Sequence, residues 1–188
     1  MVLTPHPLAA SLIERLQDRD GIRTLDFGSG SGRNTAALRA AGFTVVAVDD
    51  AAVAAAQPLQ EISERFDAAV STHGLLHGAH DAIASRVRAI AERLHSGGLL
   101  YATFGSSRDA RFGEGRKLGD WTFAPLEGDE RDVPHTYFDR ERLVAILAPY
   151  FDVESLEELG VDRIAGRWAH SSQPLHGAAH WFVKARKR

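Results

Sequence analysis

Three glycines set two residues apart, Gly28, Gly30 and Gly32, follow the short apolar run from Arg23 to Phe27 and precede an alanine- and leucine-rich stretch from Asn34 to Ala41. Glycines let backbone approach a ligand closely, and a helix that starts there offers N–H groups with no partner inside the helix. A second apolar run, Phe43 to Val48, is β-branched and continuous, as expected of a strand buried on both faces, and it ends in Asp49 and Asp50. Asp49 stands 21 residues beyond Gly28. That is the distance at which an acid ending the second strand of an open α/β unit accepts hydrogen bonds from ribose hydroxyls. Strand, glycine loop, helix, strand and acid, in that order, is a layout for an adenosine-containing cofactor. The glycine spacing then selects among such cofactors. A dinucleotide fingerprint is Gly-x-Gly-x-x-Gly, and the position needing the last glycine is Arg33 here. Asp26, inside the first strand, suits a cationic amino group, which no dinucleotide requires.

Most of the nine histidines fall in or beside segments that reach the carboxyl ends of the strands, where a sheet of this type binds ligands. His73, His77 and His80 are spaced like ligands on one helix face. The same positions belong to a strand-end motif, and no metal is assigned to them. His135 and Tyr137, in Val-Pro-His-Thr-Tyr-Phe, follow a charged insertion and precede a helix, a good place for a base or a substrate contact. With His77 they are the candidate catalytic groups. Arg163, Trp168 and His170 combine a cation, an aromatic ring and an imidazole in one loop, suited to clamping an anionic or planar substrate. Arg108, Arg111, Arg116 and Lys117 read as a solvated charge run among glycines.

The elements that position these groups alternate. A short helix carries Leu8, Leu12, Ile13 and Leu16 at helical spacing, and Gly42 fits the C-terminal cap of the helix after the glycine loop. Phe66 to Thr72 is a further strand. Asp81 to Leu94 is a helix, Ser96-Gly97-Gly98 turns into the strand Leu99 to Phe104, and Asp139 caps a helix through Leu147. Val153 to Leu159 and His180 to Ala185 close the chain as a hairpin of strands. The expected fold is α/β and Rossmann-like, a mainly parallel sheet with helices on both faces and an antiparallel hairpin at its end. A length of 188 residues suits one domain, with 105–138 as an insertion and 160–179 as a hairpin loop, both lining an acceptor pocket. A hydrophobic fraction of 44% and a charged fraction of 25% exclude a disordered or fibrous chain. The net charge of −3 gives no pull toward nucleic acid or an anionic membrane. Zero cysteines excludes disulfides, thiolate metal sites and cysteine nucleophiles. With no leader and no apolar run of membrane-spanning length, the expected location is the cytoplasm.

These motifs, taken together, resemble the class I S-adenosylmethionine-dependent methyltransferases over most of the chain. Leu25-Asp-Phe-Gly-Ser-Gly-Ser-Gly32 is similar to the family's first motif and Val46-Ala-Val-Asp49 to its second. Phe66 to His77 is similar to the fourth-strand motif, and Leu94-His-Ser-Gly-Gly-Leu-Leu-Tyr101 to the segment usually written L-x-P-G-G. The run Gly32-Arg33-Asn34-Thr35 is also similar to tellurite-resistance-type small-molecule methyltransferases. The resemblance implies a seven-strand-type sheet and S-adenosylmethionine as the cofactor. It puts Asp26 at the methionine amino group, Gly28 and Gly30 against the cofactor, Asp49 on the ribose, and Thr72 and His73 beside the methionine end. Ser29, Asn34 and Asp50 complete the expected cofactor set.

One departure stands out. Between Asp49 and Phe66 the family fits a helix, a third strand and an acid for the adenine amino group, whereas only 16 residues lie there. Ala51 to Gln57 suffice for about two helical turns. Pro58 to Ile62 is the candidate third strand, with Gln60 or Glu61 as the adenine contact. The expected activity is methyl transfer to a small-molecule acceptor by in-line displacement, from a monomer or homodimer without nucleic-acid or membrane partners. Alternatives are a protein or RNA methyltransferase, a non-catalytic S-adenosylmethionine-binding protein, and a dinucleotide oxidoreductase, the last disfavoured by Arg33.

Overall fold

The computed structural model describes residues 4–49, 59, 61–128, 130–160 and 177–188. Helix α1 (Pro7–Leu16) opens with proline in its first turn and with the His6 ring accepting from the Leu8 N–H at 3.1 Å. Then come β1 (Arg23–Phe27), α2 (Arg33–Ala40), β2 (Thr44–Val48), β3 (Phe66–Ser71), α3 (His80–Arg93) and β4 (Leu94–Ser106). A short ribbon, β5 (Arg116–Gly119) and β6 (Thr122–Ala124), leads to β7 (His135–Phe138). Helix α4 (Arg140–Leu147) and the strands β8 (Phe151–Gly160) and β9 (Ala179–Lys187) finish the chain.

Strands β2, β1, β3 and β4 pair in that order, all parallel. Strand β9 runs antiparallel along β4 from Leu99 to Gly105, and β8 pairs antiparallel outside it. The closing hairpin is therefore as expected. Strand β4 also branches. Because β9 already holds one edge of β4 at Gly105, β7 takes the edge that β3 leaves after Ala102, pairing parallel through Gly105–Tyr137 and Ser106–Phe138. The ribbon β5–β6 extends antiparallel from β7.

Both faces of the sheet are covered. Leu8, Leu12 and Leu16 of α1 and Leu38 of α2 pack with Val45, Ala68, Val70, Tyr101 and Phe182. On the opposite face, Ile83, Val87 and Ile90 of α3 and Leu143 and Leu147 of α4 pack with Leu25, Ala69, Leu100 and Val183. Neighbouring strand residues thus go to opposite clusters, and each buried leucine or isoleucine stabilises the fold by roughly 1.5–3 kcal/mol.

The structure corrects two expectations about the strands. Strand β2 is only partly buried on each face: Val45 joins one cluster and Val48 the other, while Thr44 and Ala47 are exposed. Among the described residues β2 pairs with β1 alone, an edge position that leaves part of each face exposed. The segment Ser96-Gly97-Gly98 does not precede β4 but lies inside it, with Gly97 at φ +77° and the register against β3 shifting between Phe66 and Ala68. No third strand occurs between β2 and β3 among the described residues. Leu59, Glu61 and Ile62 belong to no strand, while Pro58 and Gln60 lie outside the described set. No helix among the described residues is long and apolar enough to cross a membrane.

Asp139 caps α4 as its sequence position implies, its Oδ1 accepting from the Arg142 N–H at 2.8 Å. Asp139→Ala should lower unfolding free energy by about 1 kcal/mol. In urea titration the midpoint should fall with the slope unchanged, and an unmoved midpoint would show the cap to be dispensable.

Candidate functional site

The glycine loop leaves the carboxyl end of β1 and is fastened to β2. The N–H groups of Gly28 and Ser29 both donate to the Val48 carbonyl, at 2.8 and 2.9 Å, and Gly32 N–H donates to Ser29 O at 2.9 Å. Gly28, Gly30 and Gly32 hold φ of +76°, +47° and +74°, a region L side chains rarely enter. Gly32 opens α2 with no side-chain cap, so the cap residue itself offers no oxygen to the first turn. Gly74, just past β3, supports the loop from the far side. A Cβ there would lie 2.8 Å from Phe27 O and 3.1 Å from the Gly28 Cα. Asp49 sits next in the chain to Val48 and is exposed.

Beneath the loop lies a buried polar layer. Asp26 is fully buried and accepts from Thr35 Oγ1 at 2.5 Å. Arg33, also buried, has its guanidinium lowered to about 10 by desolvation, against the pull of the Asp26 carboxylate. Asn34 spans two elements: its Nδ2 donates to Thr72 Oγ1 at 3.0 Å and its Oδ1 accepts from the His6 N–H at 2.9 Å. Thr72 in turn accepts at its carbonyl from Thr103 Oγ1 at 2.6 Å, and its hydroxyl lies 3.4 Å from His73 Nδ1. The residues expected at the cofactor, Asp26, Gly28, Ser29, Gly30, Asn34, Thr72 and His73, therefore gather at the ends of β1 and β3. Asn34 and Thr72 spend their polar groups on each other, as a clamp between strand end and helix. Asp50 and Gln60 lie outside the described residues.

His6 is a part of this layer that sequence reasoning passed over. Its ring is buried, stacks on Phe182 at 5.3 Å, and is pushed down to about 3 by burial, Arg33 and His180. Nothing in the segment Met1 to Ala10 signals that role, because it depends on Asn34, 28 residues away.

A second cluster forms farther along the same edge. The expectation that His73, His77 and His80 share one helix face fails: α3 begins only at His80, and the chain from 72 to 79 is turns and a single bridge. That bridge pairs His77 with His135. Around it Gly78 N–H donates to Pro134 O at 2.6 Å and Thr136 Oγ1 donates to Gly78 O at 2.8 Å. The two imidazoles meet edge to face at 4.8 Å. Glu130 lies between them, Oε1 being 3.3 Å from His77 Nε2 and Oε2 3.2 Å from His135 Nε2. Hydrogen bonds to the two rings hold the Glu130 carboxyl well below the usual carboxylate range. His135 also uses its other nitrogen, Nδ1 standing 2.8 Å from Val133 O. Both nitrogens of the expected base are thus engaged. Glu130 escaped the sequence reading because it sits in a charged stretch with no spacing signal to either histidine.

Tyr137 is buried among Phe112 and Phe123, and burial raises its phenol to about 12, with Asp109 adding to the rise and Arg111 opposing it. It is a hydrogen-bond donor at neutral pH and not a base. The run of cations proves to be paired. Arg111 grips Asp109 through two bonds of 2.9 Å, Arg116 meets Asp132 at 2.8 Å, Arg108 meets Glu158 at 3.3 Å, and Lys117 lies 3.8 Å from Asp120. Burial works against the charge on Asp109, but Arg111 and the Ala179 N–H hold its carboxyl below its ordinary value. His180, buried beside this pair, is pushed down to about 4 by desolvation. Arg163, Trp168 and His170 lie outside the described residues.

A family model described as a methyltransferase domain matches residues 5–159 of the chain. Among solved structures, the chain is similar to a SAM-dependent methyltransferase from Methanosarcina mazei, with 16% identity and a TM-score of 0.71 over 98% of this chain and 99% of that one. It is similar to 1,6-didemethyltoxoflavin-N1-methyltransferase from Burkholderia thailandensis, solved with 1,6-didemethyltoxoflavin and S-adenosylhomocysteine. There the identity is 24% and the TM-score 0.67, over 97% of this chain and 77% of that one. It is also similar to TehB from Haemophilus influenzae, with 18% identity and a TM-score of 0.63 over 95% of this chain and 62% of that one. No curated protein sequence matches this one.

Two outcomes follow from the buried layer. Gly74→Ala should cost about 1–3 kcal/mol in urea unfolding, since backbone on the opposing loop must move to admit one carbon; a neutral result would mean that the loop yields freely. The second concerns acid. His6 and His180 are lowered to about 3 and about 4 when folded, and in the unfolded chain both titrate near 6.5. The unfolded state therefore binds more protons between pH 6.5 and 4, and stability must fall as pH drops through that window, by up to ~1.4 kcal/mol per pH unit per histidine. His6→Asn, which can still cap α1, should reduce the difference in unfolding free energy between pH 7 and pH 5. An unchanged difference would exclude His6 as a source.

Proposed function

The chain belongs to the methyltransferase-domain family, and from that membership we propose that it transfers the methyl group of S-adenosylmethionine to a small-molecule acceptor. The observation that carries this is the join at the sheet edge: a left-handed glycine loop tied twice to the Val48 carbonyl, with the exposed carboxylate of Asp49 next to it. The residues present fit the cofactor. The cradle is backbone with no side chain in the way, Gly74 leaving it room from below, and an acid at the end of β2 suits a ribose diol. When bound, the cofactor supplies an electrophilic methyl group on a sulfonium.

The chain's own residues then divide the work. Gly28, Ser29 and Gly30 receive the ligand along their backbone, and Asp49 accepts from the ribose hydroxyls. Asp26 is the buried acid beneath the amino-acid end, holding the first turn of α2 through Thr35. Asn34 and Thr72 fix the ends of α2 and β3 relative to each other, and His73 follows them at the methionine side. The acceptor side is the cluster of His77, Glu130 and His135, with the Tyr137 phenol as a donor beside it. Much of the rate in such a displacement comes from holding the acceptor atom in line with the methyl group, ~3–3.5 Å away. The paired state of Arg108, Arg111, Arg116 and Lys117 supports a small acceptor, because it leaves that insertion without a cationic face for nucleic acid.

Calorimetric titration with S-adenosylhomocysteine, with NADH as the control, tests the reading. One-site micromolar binding of the former alone is expected. Asp49→Ala should weaken it by about 10–100-fold, the worth of hydrogen bonds to a charged group. Binding of NADH instead, or an Asp49→Ala protein that binds as well as the parent, would overturn the assignment. Methyl label transferred from the cofactor should appear in a small-molecule fraction and not in protein or RNA.

A further inference from the structure

The bridge between the loop after β3 and the start of β7 brings three ligand-bearing side chains to one point. One atom each from His77, Glu130 and His135 lies within 4.8 Å of the others. The orientation of His135 is informative. Its Nδ1 is 2.8 Å from Val133 O, and a carbonyl only accepts, so Nδ1 carries the hydrogen. In the neutral ring Nε2 then presents a lone pair, directed at a carboxylate oxygen 3.2 Å away. Two lone pairs so placed repel unless a positive occupant, either a proton on the ring or a metal ion, lies between them. A ring whose Nδ1–H is given to a backbone carbonyl while Nε2 faces other ligand atoms is what metal-binding histidines adopt.

We propose that His77, Glu130 and His135 form a binding site for one divalent transition-metal ion of the zinc type. The separations of 3.2 and 3.3 Å between the imidazole nitrogens and Glu130 are close to the edge of a tetrahedron with metal–ligand bonds of about 2.0–2.1 Å. The widest separation must close by on the order of 1 Å to reach the same bond lengths, and the partly exposed side chains of His77 and Glu130 have room for it. Two imidazoles and a carboxylate suit zinc and its neighbours better than magnesium, which takes oxygen ligands. Three protein ligands leave a fourth position open, as in catalytic zinc sites. In the proposed methyl transfer that position takes the acceptor's heteroatom, which points to an acceptor with an O–H or S–H made more acidic by the ion. This role rests on the methyltransferase reading; the ion site itself does not.

The experiment uses the full chain, free of tags and treated with chelator, titrated calorimetrically with zinc and separately with magnesium. Glu130→Gln and His135→Gln run in parallel, and S-adenosylhomocysteine binding is measured on every protein. The parent should bind one equivalent of zinc at least tenfold more tightly than either variant, with no comparable uptake of magnesium. The variants should keep S-adenosylhomocysteine binding, which certifies their fold. Absence of one-equivalent zinc binding by the parent, or variants that bind like the parent, overturns the site and leaves a proton shared between Glu130 and His135 as the occupant. If both variants unfold, cobalt(II) added to the parent decides, since its visible bands report imidazole and carboxylate ligation or its absence. Zinc uptake without S-adenosylhomocysteine binding would keep the ion site and remove the functional reading; the reverse would do the opposite.

Discussion

The Val48 carbonyl is the point on which the cofactor end of this molecule turns. It accepts from two successive N–H groups, Gly28 and Ser29, so the loop leaving β1 can take only the path that runs past the end of β2. That path demands positive φ at Gly28 and again at Gly30, and it delivers the chain to Gly32 in the conformation that starts α2. Each such bond nets only about 0.5–1.5 kcal/mol. Their consequence is larger than that figure, because they fix where the first turn of α2 and the carboxylate of Asp49 stand relative to each other. Gly74 and the Asn34–Thr72 pair secure the same loop from β3. The edge is thus braced by all three strands whose carboxyl ends form it.

The second cluster is placed by a different device. His77 and His135 owe their meeting to backbone pairing between residues 77–78 and 134–136, a bridge made possible because β7 occupies the edge of β4 that β3 vacates. The same strand runs directly into Asp139, the cap of α4. A displacement of β7 would therefore disturb the imidazole cluster and the packing of α4 on the sheet together. That linkage gives the cluster of His77, Glu130 and His135 a footing in the sheet.

Much of the cofactor side was legible in the sequence because its signals are local. The glycine spacing, Asp26 within its strand and the acid ending β2 all act within a few residues of where they are read. The cap at Asp139 and the hairpin of β8 and β9 are equally local or periodic. The acceptor side was not legible for the opposite reason. Histidines at 73, 77 and 80 have helical spacing, but the chain there is held by its bridge to β7 and turns helical only at His80. Glu130 and His77 are 53 residues apart in the chain, and no pattern connects them. The partial exposure of β2 was hidden too, since a run of valines reads alike at the centre and at the edge of a sheet.

The histidines show how position, not residue type, decides their use. His6 and His180 are closed in with a cation near each, so both are kept neutral, and the His6 ring serves as packing surface and hydrogen-bond partner. His77 and His135 face an ionised carboxylate instead, near the surface, where a positive charge between the groups is favoured. Burial, helped by Arg33 near His6 and by Arg111 near His180, gives the first pair its neutral setting. Glu130 gives the second pair its cation-attracting one. Both settings sit at the carboxyl ends of the parallel strands, separated by the turn from Thr72 to Gly78.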